Sequence, residues 1–475
     1  MIDFTNIEQY RENNRIEAKK ALGGLPHSIW ETYSAFANTL GGIILLGVEE
    51  YRDHSLHTID LPDPERLIRE FWEIVNDPAQ TSVNVLSAKD VFVQEVNGDH
   101  IVVINVPQAE RVYKPVSVYG SPLYTYRRSG EGDYRCTREE YQAMVRDAAV
   151  KSQDMLLLRE MDLSIFHWDS LHSYRRRMEQ TRPGHIWQTL GDEEFLLKLG
   201  AIGMGPDGKK HPTAAGLLMF GNEYEIVREF NAYFLDYQEF HSACRTARIV
   251  SSSGDWSGNV YDFYFRVYEK LIREIESPHG DHAPVHQVLR EALTNCLINA
   301  DYYGRQGLVI VKTPEKITFS NPGGFRIKLD RAKSGGTSDP RNGTLMRMFN
   351  LIDIGERTGS GIPNIFRVWQ AQGWAAPTIT ESFDPERITL TLQLQAPDAP
   401  VGSVKLSDSK AIISEKMKES IIVYLTDHIA ASVTTIAAYL GLKPSRTYDY
   451  LSELVADDIV VVEGSSRHRI YRLKS

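Results

Sequence analysis

The spacing of apolar residues changes twice within the first fifty positions of the chain. Between residues 29 and 39 apolar side chains recur at helical intervals, which predicts an amphipathic helix that packs on a sheet. Gly41 and Gly42 follow, and glycine accepts the left-handed backbone conformation that commonly ends a helix. The unbroken apolar run over residues 43–48 then predicts a buried strand. Alone, a helix, glycine turn and strand of this kind is also common scaffolding.

A second pattern combines aromatic and basic residues. After an apolar alternation over residues 91–106, the segment 111–138 holds six Lys and Arg residues against two acids, with five tyrosines between them. Aromatic rings can stack on unpaired bases while arginines hold phosphates. The segment therefore favours nucleic-acid binding, and a solvated hairpin with a tyrosine-rich underside is the alternative.

Four motifs in this region follow one another in a fixed order. They are RIEAKK at 15–20, AFANTLGG at 35–42, GVEE at 47–50, and a Lys-Pro segment that leads to Tyr-Arg-Arg at 126–128. Together they resemble the Schlafen/AlbA-type domain, an α/β fold, over residues 1–148. The resemblance implies binding to DNA or RNA. The contacts that it implies come from Lys19, Arg127, Arg128 and Arg135.

Carboxylates near the start of the chain suggest a second chemistry. Glu12 and Glu17 precede the apolar strand, and three further acids end it: Glu49, Glu50 and Asp53. We expect Glu12 and Glu17 on a first helix, where they converge with an acid of that set, Glu50, to bind a divalent metal for phosphodiester cleavage. Some Schlafen proteins are RNA endonucleases with such a cluster, so the resemblance implies an endoribonuclease as the alternative function. Glutamates that are only solvated are the simpler interpretation.

The segment 149–281 is less informative and predicts a connecting α/β region that packs with the segment after it. TAAGLLMFG at 213–221 and GDWSG at 254–258 occur in this order. In this respect the chain resembles a bacterial family that combines a Schlafen/AlbA-type domain with a RecG-like carboxy-terminal module. The resemblance implies a transcriptional regulator.

The segment 282–396 contains a helix with polar residues at i, i+4 and i+8, namely Glu291, Asn295 and Asn299, which share one face. Two strands and a glycine turn follow. This order resembles the GHKL-type (Bergerat-type) ATPase module, an α/β sandwich. The resemblance implies that Glu291 aligns the attacking water and that the Asn295 oxygen holds Mg²⁺ on the phosphates of ATP. In the alternative, the three residues are only the polar face of a helix.

Glycines in the same segment suggest a nucleotide lid. Gly323 and Gly324 form a turn, and Gly359 and Gly361 directly precede a helix whose backbone N–H groups can approach a phosphate. An NPGG sequence stands where the family has an adenine-binding aspartate. A module that has the ATPase fold but binds nucleotide poorly is therefore an alternative to a working ATPase.

The last part of the chain predicts a small separate domain. Residues 397–412 are rich in Pro, Ala, Gly and Ser and predict a linker. Three helices and a hairpin over residues 413–475 resemble a winged helix-turn-helix, which implies base contacts from the third helix and phosphate contacts from the wing. The residues concerned are Arg446 and Thr447 on the helix and Arg467 and Arg469 on the wing. Many winged helices bind proteins instead, and this alternative stays open.

Composition narrows the class of protein. The 475-residue chain is 42% hydrophobic, and its length predicts about two to four domains. We therefore expect an α+β multidomain protein. A net charge of −10 excludes a uniformly basic coat, so contacts with nucleic acid must be local. The three cysteines lack the spacing of a zinc site, and no run approaches the roughly 20 apolar residues of a membrane span. We expect a cytoplasmic protein that needs no structural zinc and no membrane.

The four segments together predict a DNA-binding transcriptional regulator with an ATP-binding-like module, for which ATP and Mg²⁺ are the expected cofactors. DNA is the expected partner, and RNA is the alternative. A winged helix that reads a palindrome would also imply a homodimer. The rival prediction is a Schlafen-like, metal-dependent endoribonuclease that cleaves tRNA or other RNA.

Overall fold

The computed structural model describes most of the chain. The described residues are 3–241, 244–273, 275, 280, 282–355, 359–383, 385–396, 418, 421–422, 425, 430–440, 444–456, 459–463 and 469–474. The chain divides into two compact units, Met1–Pro397 and Asp398–Ser475. Within the first unit we distinguish an amino-terminal domain, residues 3–148, from a large domain, residues 149–396. No helix in the described ranges is long and apolar enough to cross a membrane.

The amino-terminal domain is built on a four-stranded sheet. Its helices are α1 (Ile29–Asn38), α2 (Pro64–Val75) and α3 (Arg138–Ala148). Its strands are β1 (Ile16–Lys19), β2 (Gly42–Leu46), β3 (Val48–Glu50), β4 (Leu56–Thr58), β5 (Val91–Val96), β6 (Asp99–Val106), β7 (Tyr126–Ser129) and β8 (Gly132–Arg135). The sheet has the order β1-β2-β6-β5, with β1 and β2 parallel and the other neighbours antiparallel. The pairs β3-β4 and β7-β8 form separate hairpins.

The helix, glycine turn and buried strand predicted near the start of the chain are confirmed. Helix α1 buries Phe36 against the sheet residues Ile44 and Ile104. Gly41 has φ +74°, and a Cβ at this position would lie 2.8 Å from the backbone oxygen of Val106. The predicted strand is interrupted at Gly47, where φ is +84°, and this break separates β2 from β3. The central place of β2 in the sheet explains its apolar composition.

The prediction of a first helix that carries Glu12 and Glu17 is wrong. Residues Ile16–Lys19 form strand β1, which pairs in parallel with β2 so that Ile16 lies opposite Ile43. Ile16 is buried, and the charged neighbours alternate with it along the strand. A strand of four residues has a weak local signal, and it forms here because the edge of β2 would otherwise leave backbone N–H and C=O groups unpaired.

The large domain contains one main sheet and nine helices with described bounds. The helices are α4 (Trp168–Thr181), α5 (Asp192–Leu199), α6 (Ala214–Phe220), α7 (Glu223–Glu229), α8 (Val260–Leu271), α9 (Ala283–Asn299), α10 (Leu329–Ser334), α11 (Gly343–Leu351) and α12 (Gly361–Ala371). The strands are β9 (Ile202–Met204), β10 (Lys210–Pro212), β11 (Leu235–His241), β12 (Cys244–Val250), β13 (Leu308–Lys312), β14 (Lys316–Pro322), β15 (Thr378–Phe383) and β16 (Glu386–Gln393).

Six of these strands form the main sheet in the order β12-β11-β13-β14-β16-β15. β11 and β13 are parallel, and the other neighbours are antiparallel. β11 and β12 precede the predicted boundary at residue 281, whereas β13 to β16 follow it, so one sheet spans that boundary. Helix α9 packs against α8, α12 and β14. A single apolar core runs through the whole domain, from Leu158 to Leu392.

The carboxy-terminal unit is described in part. It contains the helices Val433–Leu440 and Pro444–Ala456 and the strands β17 (Ala431–Ser432), β18 (Val460–Glu463) and β19 (Ile470–Leu473). The strands form an antiparallel sheet in the order β17-β19-β18. The helical residues Ile421 and Leu425 pack with Ile436 and Leu451 in its core. The predicted linker, residues 397–412, lies outside the described residues.

Candidate nucleic-acid and nucleotide sites

The predicted basic hairpin of the amino-terminal domain presents one arginine to solvent beside aromatic rings. Arg135 ends β8, is exposed, and places its guanidinium carbon 4.6 Å from the centre of the Tyr124 ring. Tyr119 lies edge-on to Tyr124, with ring centres 5.3 Å apart, and stacks on the exposed His27 at 4.7 Å. We call these four side chains the aromatic patch. A cation beside aromatic rings can hold a phosphate next to an unpaired base.

Arg128, which we predicted to contact nucleic acid, lies inside the domain instead. It is 3% exposed, and its guanidinium pairs with Glu17 at 2.8 Å and with Asp133 at 2.9 Å. It also donates to the backbone oxygen of Asn13 at 2.9 Å. Successive side chains of a strand point to opposite faces, so Arg127 and Arg128 of β7 cannot both face solvent. The structural role of Arg128 is to connect β7 with β1.

Arg127 and Lys19 are also engaged within the protein. Arg127 pairs with Glu140 at 2.9 Å and donates to the backbone oxygen of Phe383, in the large domain, at 3.1 Å. Lys19 pairs with Glu17 at 2.9 Å, and most of its side chain is buried. Among the four cations predicted for this domain, the arginine of the aromatic patch alone is exposed.

The three acids of the predicted nuclease site lie within electrostatic reach of one another. Glu12 accepts a hydrogen bond from the N–H of Ala18 at 2.8 Å, and desolvation raises its pKa, with a further rise from the charges of Glu17 and Glu50. Both oxygens of Glu17 are in ion pairs, however, and Glu50 contacts His54 at 2.9 Å. No group of three His, Cys, Asp or Glu side chains in the described ranges is arranged to hold a metal. The geometry does not favour the endoribonuclease alternative.

The polar residues of α9 line a cavity in the large domain, which we call the inner cavity. Glu291, Asn295 and Asn299 lie along its wall, and the Asn295 amide donates to Glu291 Oε1 at 3.1 Å. The wall also contains three of the predicted glycines: Gly324, Gly359 and Gly361. The structure thus brings together all but one of the residues predicted to bind nucleotide.

Two of the glycines are needed for close contacts within the protein. A Cβ on Gly361 would lie 1.9 Å from Glu291 Oε1, so glycine lets the start of α12 rest against that carboxylate. Gly323, which lies outside the cavity wall, has φ +94° and lies against the guanidinium of Arg341. At Gly323 the left-handed backbone favours glycine, and at Gly361 a Cβ would force the Glu291 carboxylate to move, whether or not a phosphate also binds.

The size of the inner cavity limits what it holds in this conformation. Its volume is about 140 Å³, below the roughly 300–1,000 Å³ of common small-molecule sites. Asn321 lines the wall in the NPGG sequence, where the resemblance places an adenine-binding aspartate. The carboxylate and amide groups of α9 are of the chemical types that can bind Mg²⁺ and phosphate. A whole ATP molecule would fit only if the cavity opened.

A larger cleft of about 580 Å³ lies between the amino-terminal domain and the large domain, and we call it the interdomain cleft. Among the described residues four ion pairs cross the same boundary, and two of them are Arg111 with Asp339 and Arg341 with Asp147. Arg341 also donates to the backbone oxygen of Asn299 at 3.1 Å, so it connects α9 with the amino-terminal domain. No local pattern in the sequence marks these residues, because the paired positions are 228 and 194 residues apart.

The carboxy-terminal unit presents two of its four predicted contacts on the surface. Arg446 and Arg469 are exposed, and Arg469 lies 3.4 Å from the hydroxyl of Tyr448, a side chain of the helix that is 43% exposed. Thr447 is 0% exposed, so the prediction that it contacts DNA is wrong. Its position on the helix turns it into the core. Arg467 lies outside the described residues.

Comparison with known families identifies two parts of the chain. Residues 12–137 match the family model described as Schlafen, AlbA_2. The chain contains a Schlafen/AlbA-type domain. Residues 309–392 match the family described as “Putative ATP-dependent DNA helicase recG C-terminal”, and residues 142–236 match a domain of unknown function (DUF8451). The predictions of a Schlafen/AlbA-type domain and of a RecG-like ATPase-like module are confirmed, and together they indicate a nucleic-acid-related function.

Two solved structures resemble the chain at lower similarity. The DIP2311 protein from Corynebacterium diphtheriae is 16% identical, with a TM-score of 0.39, and the match covers 97% of this chain and 95% of that chain. The amino-terminal domain of a RecG-related protein from Nitrosomonas europaea is 29% identical, with a TM-score of 0.23, over 29% of this chain and 95% of that chain. These TM-scores are too low to establish a shared overall fold. A search of curated proteins found no match.

Proposed function

We propose that the protein is a DNA-binding transcriptional regulator in which an ATPase-like module is fixed to a Schlafen/AlbA-type domain. One observation carries the proposal: the two matched regions lie in one compact unit, joined by the ion pairs Arg111–Asp339 and Arg341–Asp147. A nucleic-acid-binding domain held in this way can respond to a change in the module. The aromatic patch, in which Arg135 and His27 are exposed and the two tyrosine rings are half-buried, supports contact with unpaired bases.

The carboxy-terminal unit supplies the proposed contacts with duplex DNA. Two helices and a small antiparallel sheet suit a winged helix-turn-helix, and the exposed Arg446 and Arg469 lie on its helix and beside its last strand. In this arrangement the helix enters the major groove and the strand lies near backbone phosphate. A palindromic DNA site would then require two copies of the chain.

The test of DNA binding is a salt series. Anisotropy of labelled duplex DNA is measured with wild type, Arg446→Ala, Arg469→Ala and, as matched control, the exposed Arg159→Ala of the large domain. We expect each carboxy-terminal variant to weaken binding and to reduce the salt slope by about 1, as the loss of one phosphate contact does. An unchanged affinity and slope in both variants would remove this unit from the DNA site.

The aromatic patch is tested with single strands. We expect Tyr124→Ala and Arg135→Ala to reduce affinity for labelled single-stranded DNA or RNA by about tenfold each, within the roughly 1–3 kcal/mol that stacking of one base contributes. The comparison of DNA with RNA of the same sequence then decides between the two proposed partners. Equal binding by wild type and both variants would contradict a role for the patch.

For the module we propose weak binding of Mg-ATP, with Glu291 as the base that aligns water and Asn295 as the Mg²⁺ ligand. Both side chains line the inner cavity, which supports the assignment. We expect a small Mg-ATP thermal shift in wild type that Asn295→Ala abolishes. A shift of the same size in Asn295→Ala, or none in wild type at millimolar Mg-ATP, would reject a nucleotide site in the inner cavity.

A further inference from the structure

The interdomain cleft has the size and the walls of a small-molecule site. Its volume of about 580 Å³ lies within the range of sites that bind drug-sized ligands. One wall contains Lys114 and Arg127 of the amino-terminal domain, and the other contains Arg326, Arg331 and Glu386 of the large domain. A ligand in the cleft would therefore touch both domains at once.

Several cations of the cleft keep hydrogen-bonding capacity after the internal ion pairs are counted. Arg326 has a side chain only 9% exposed, and its buried Nε–H finds no acceptor among the described residues. Its guanidinium makes one good hydrogen bond, to the backbone oxygen of Pro340 at 3.1 Å, whereas its contacts with Asp147 and Asp339 are 3.5 and 3.6 Å long. N–H···O bonds in proteins are commonly 2.7–3.2 Å long. This guanidinium can therefore gain from an added acceptor.

Lys114 is placed in a similar way on the opposite wall. Its ammonium donates to the backbone oxygen of Asn38 at 2.7 Å. An ammonium has three donors, so the remaining two can be offered to the cleft. Desolvation lowers the pKa of Lys114, and the charges of Glu386, Glu381 and Asp147 oppose that shift. A bound anion would restore a close negative partner.

The lining of the cleft contains six acids and six cations, and three of the acids, Glu140, Asp147 and Asp339, are already held in ion pairs with arginines. Asp147 and Asp339 are committed to the interdomain ion pairs. Glu386 lines the cleft, and desolvation raises its pKa to about 7 against the effect of Arg341 and Lys114. Two further exposed cations, Lys328 and Arg331, stand at the cleft beside exposed Glu110 and Asp330.

We propose that the interdomain cleft binds a small anionic ligand of nucleotide size, whose phosphate or carboxylate group is held between Lys114 and Arg326. The site adjoins the proposed ATP site, because Arg326 lines both cavities, but Lys114 lines only the cleft and Asn295 lines only the inner cavity. Variants of Lys114 and of Asn295 therefore distinguish binding in the cleft from binding in the inner cavity.

The test uses calorimetric titration of the full chain with three probes: inorganic pyrophosphate, AMP and citrate. We expect saturable binding of at least one of them, with one ligand per chain. Lys114→Gln should weaken that binding by about tenfold, the loss of one charge-assisted hydrogen bond. The matched control is Lys89→Gln, an exposed lysine of the same domain that lies outside the cleft, and it should bind as wild type does. Binding of pyrophosphate or AMP without binding of citrate would indicate recognition of phosphate, and binding of citrate alone would indicate recognition of carboxylate.

Two further variants keep the result decisive. Arg331→Gln changes an exposed residue of the cleft and should weaken binding even if Lys114→Gln does not fold. Asn295→Ala should bind the probe as wild type does. Binding that Asn295→Ala abolishes and Lys114→Gln leaves intact would place the ligand in the inner cavity and overturn the proposal. An absence of binding for all three probes at millimolar concentration would also overturn it.

Discussion

Replacing Arg128 by methionine separates a structural role from a nucleic-acid contact. The change removes a guanidinium that pairs with Glu17 and Asp133 and donates to the backbone of Asn13. Breaking a buried ion pair from one side costs about 3–5 kcal/mol. Each acid keeps one other partner here, since Lys19 stays 2.9 Å from Glu17 and the Thr32 hydroxyl stays 2.7 Å from Asp133. We therefore expect a loss near the lower end, about 3 kcal/mol.

Hydrogen exchange is the suitable assay, because a chain of two units need not unfold in a single transition. Peptides that cover β1 and β7 should exchange about 100-fold faster in Arg128→Met, the factor that corresponds to about 3 kcal/mol. The control Arg135→Ala changes an exposed residue of the same hairpin and should alter stability by less than about 0.5 kcal/mol. If Arg128→Met exchanged like wild type and lost nucleic-acid affinity like Arg135→Ala, the assignment of Arg128 to the domain interior would be refuted.

Three other predictions follow from single side chains. Thr447→Val should leave duplex affinity within about twofold of wild type in anisotropy, because the residue is buried, whereas Arg446→Ala should weaken it. Gly361→Ala should lower thermal stability by about 1–3 kcal/mol and abolish any Mg-ATP shift, since its Cβ would collide with Glu291; an unchanged melting temperature would contradict this. The raised pKa of Glu386 means that the folded protein binds its proton more tightly than the unfolded chain, so this group makes stability fall as pH rises from 4.5 to about 7. Urea unfolding should therefore show a larger stabilisation by Glu386→Gln at pH 8 than at pH 5, and an equal effect at both would contradict the sign.

Local patterns were enough to predict the first helix, its glycine turn and the strand after it. In that region the apolar spacing and Gly41 lie within one short segment, so the local sequence already favours the helix, the turn and the strand. The sheet then adds the strand pairing. Strand β1 was missed because its four residues form a strand only through pairing with β2. The face that a helix or strand buries also depends on its neighbours, which is why Thr447 was placed wrongly on the surface.

The residues of the inner cavity were predicted well for a similar reason. Glu291, Asn295 and Asn299 are spaced by four along one helix, so their common face follows from helix geometry alone. The size of the cavity depends on how closely α12 and the β14 region pack around it, and no sequence motif indicates how close that packing is. The interdomain cleft could not be predicted at all, because its walls come from two domains that meet only in the folded chain.

The ion pair between Arg111 and Asp339, together with the bond from Arg127 to Phe383, has a practical consequence for fragment studies. A fragment that ends at residue 148 would lose both acceptors, and Arg111 would lose its carboxylate partner, whereas Arg127 would keep Glu140. A cation without its acid attracts any polyanion, in a manner that salt readily suppresses. Such a fragment would bind DNA through groups that the intact chain uses to hold itself together, so its affinity would overstate that of the whole protein.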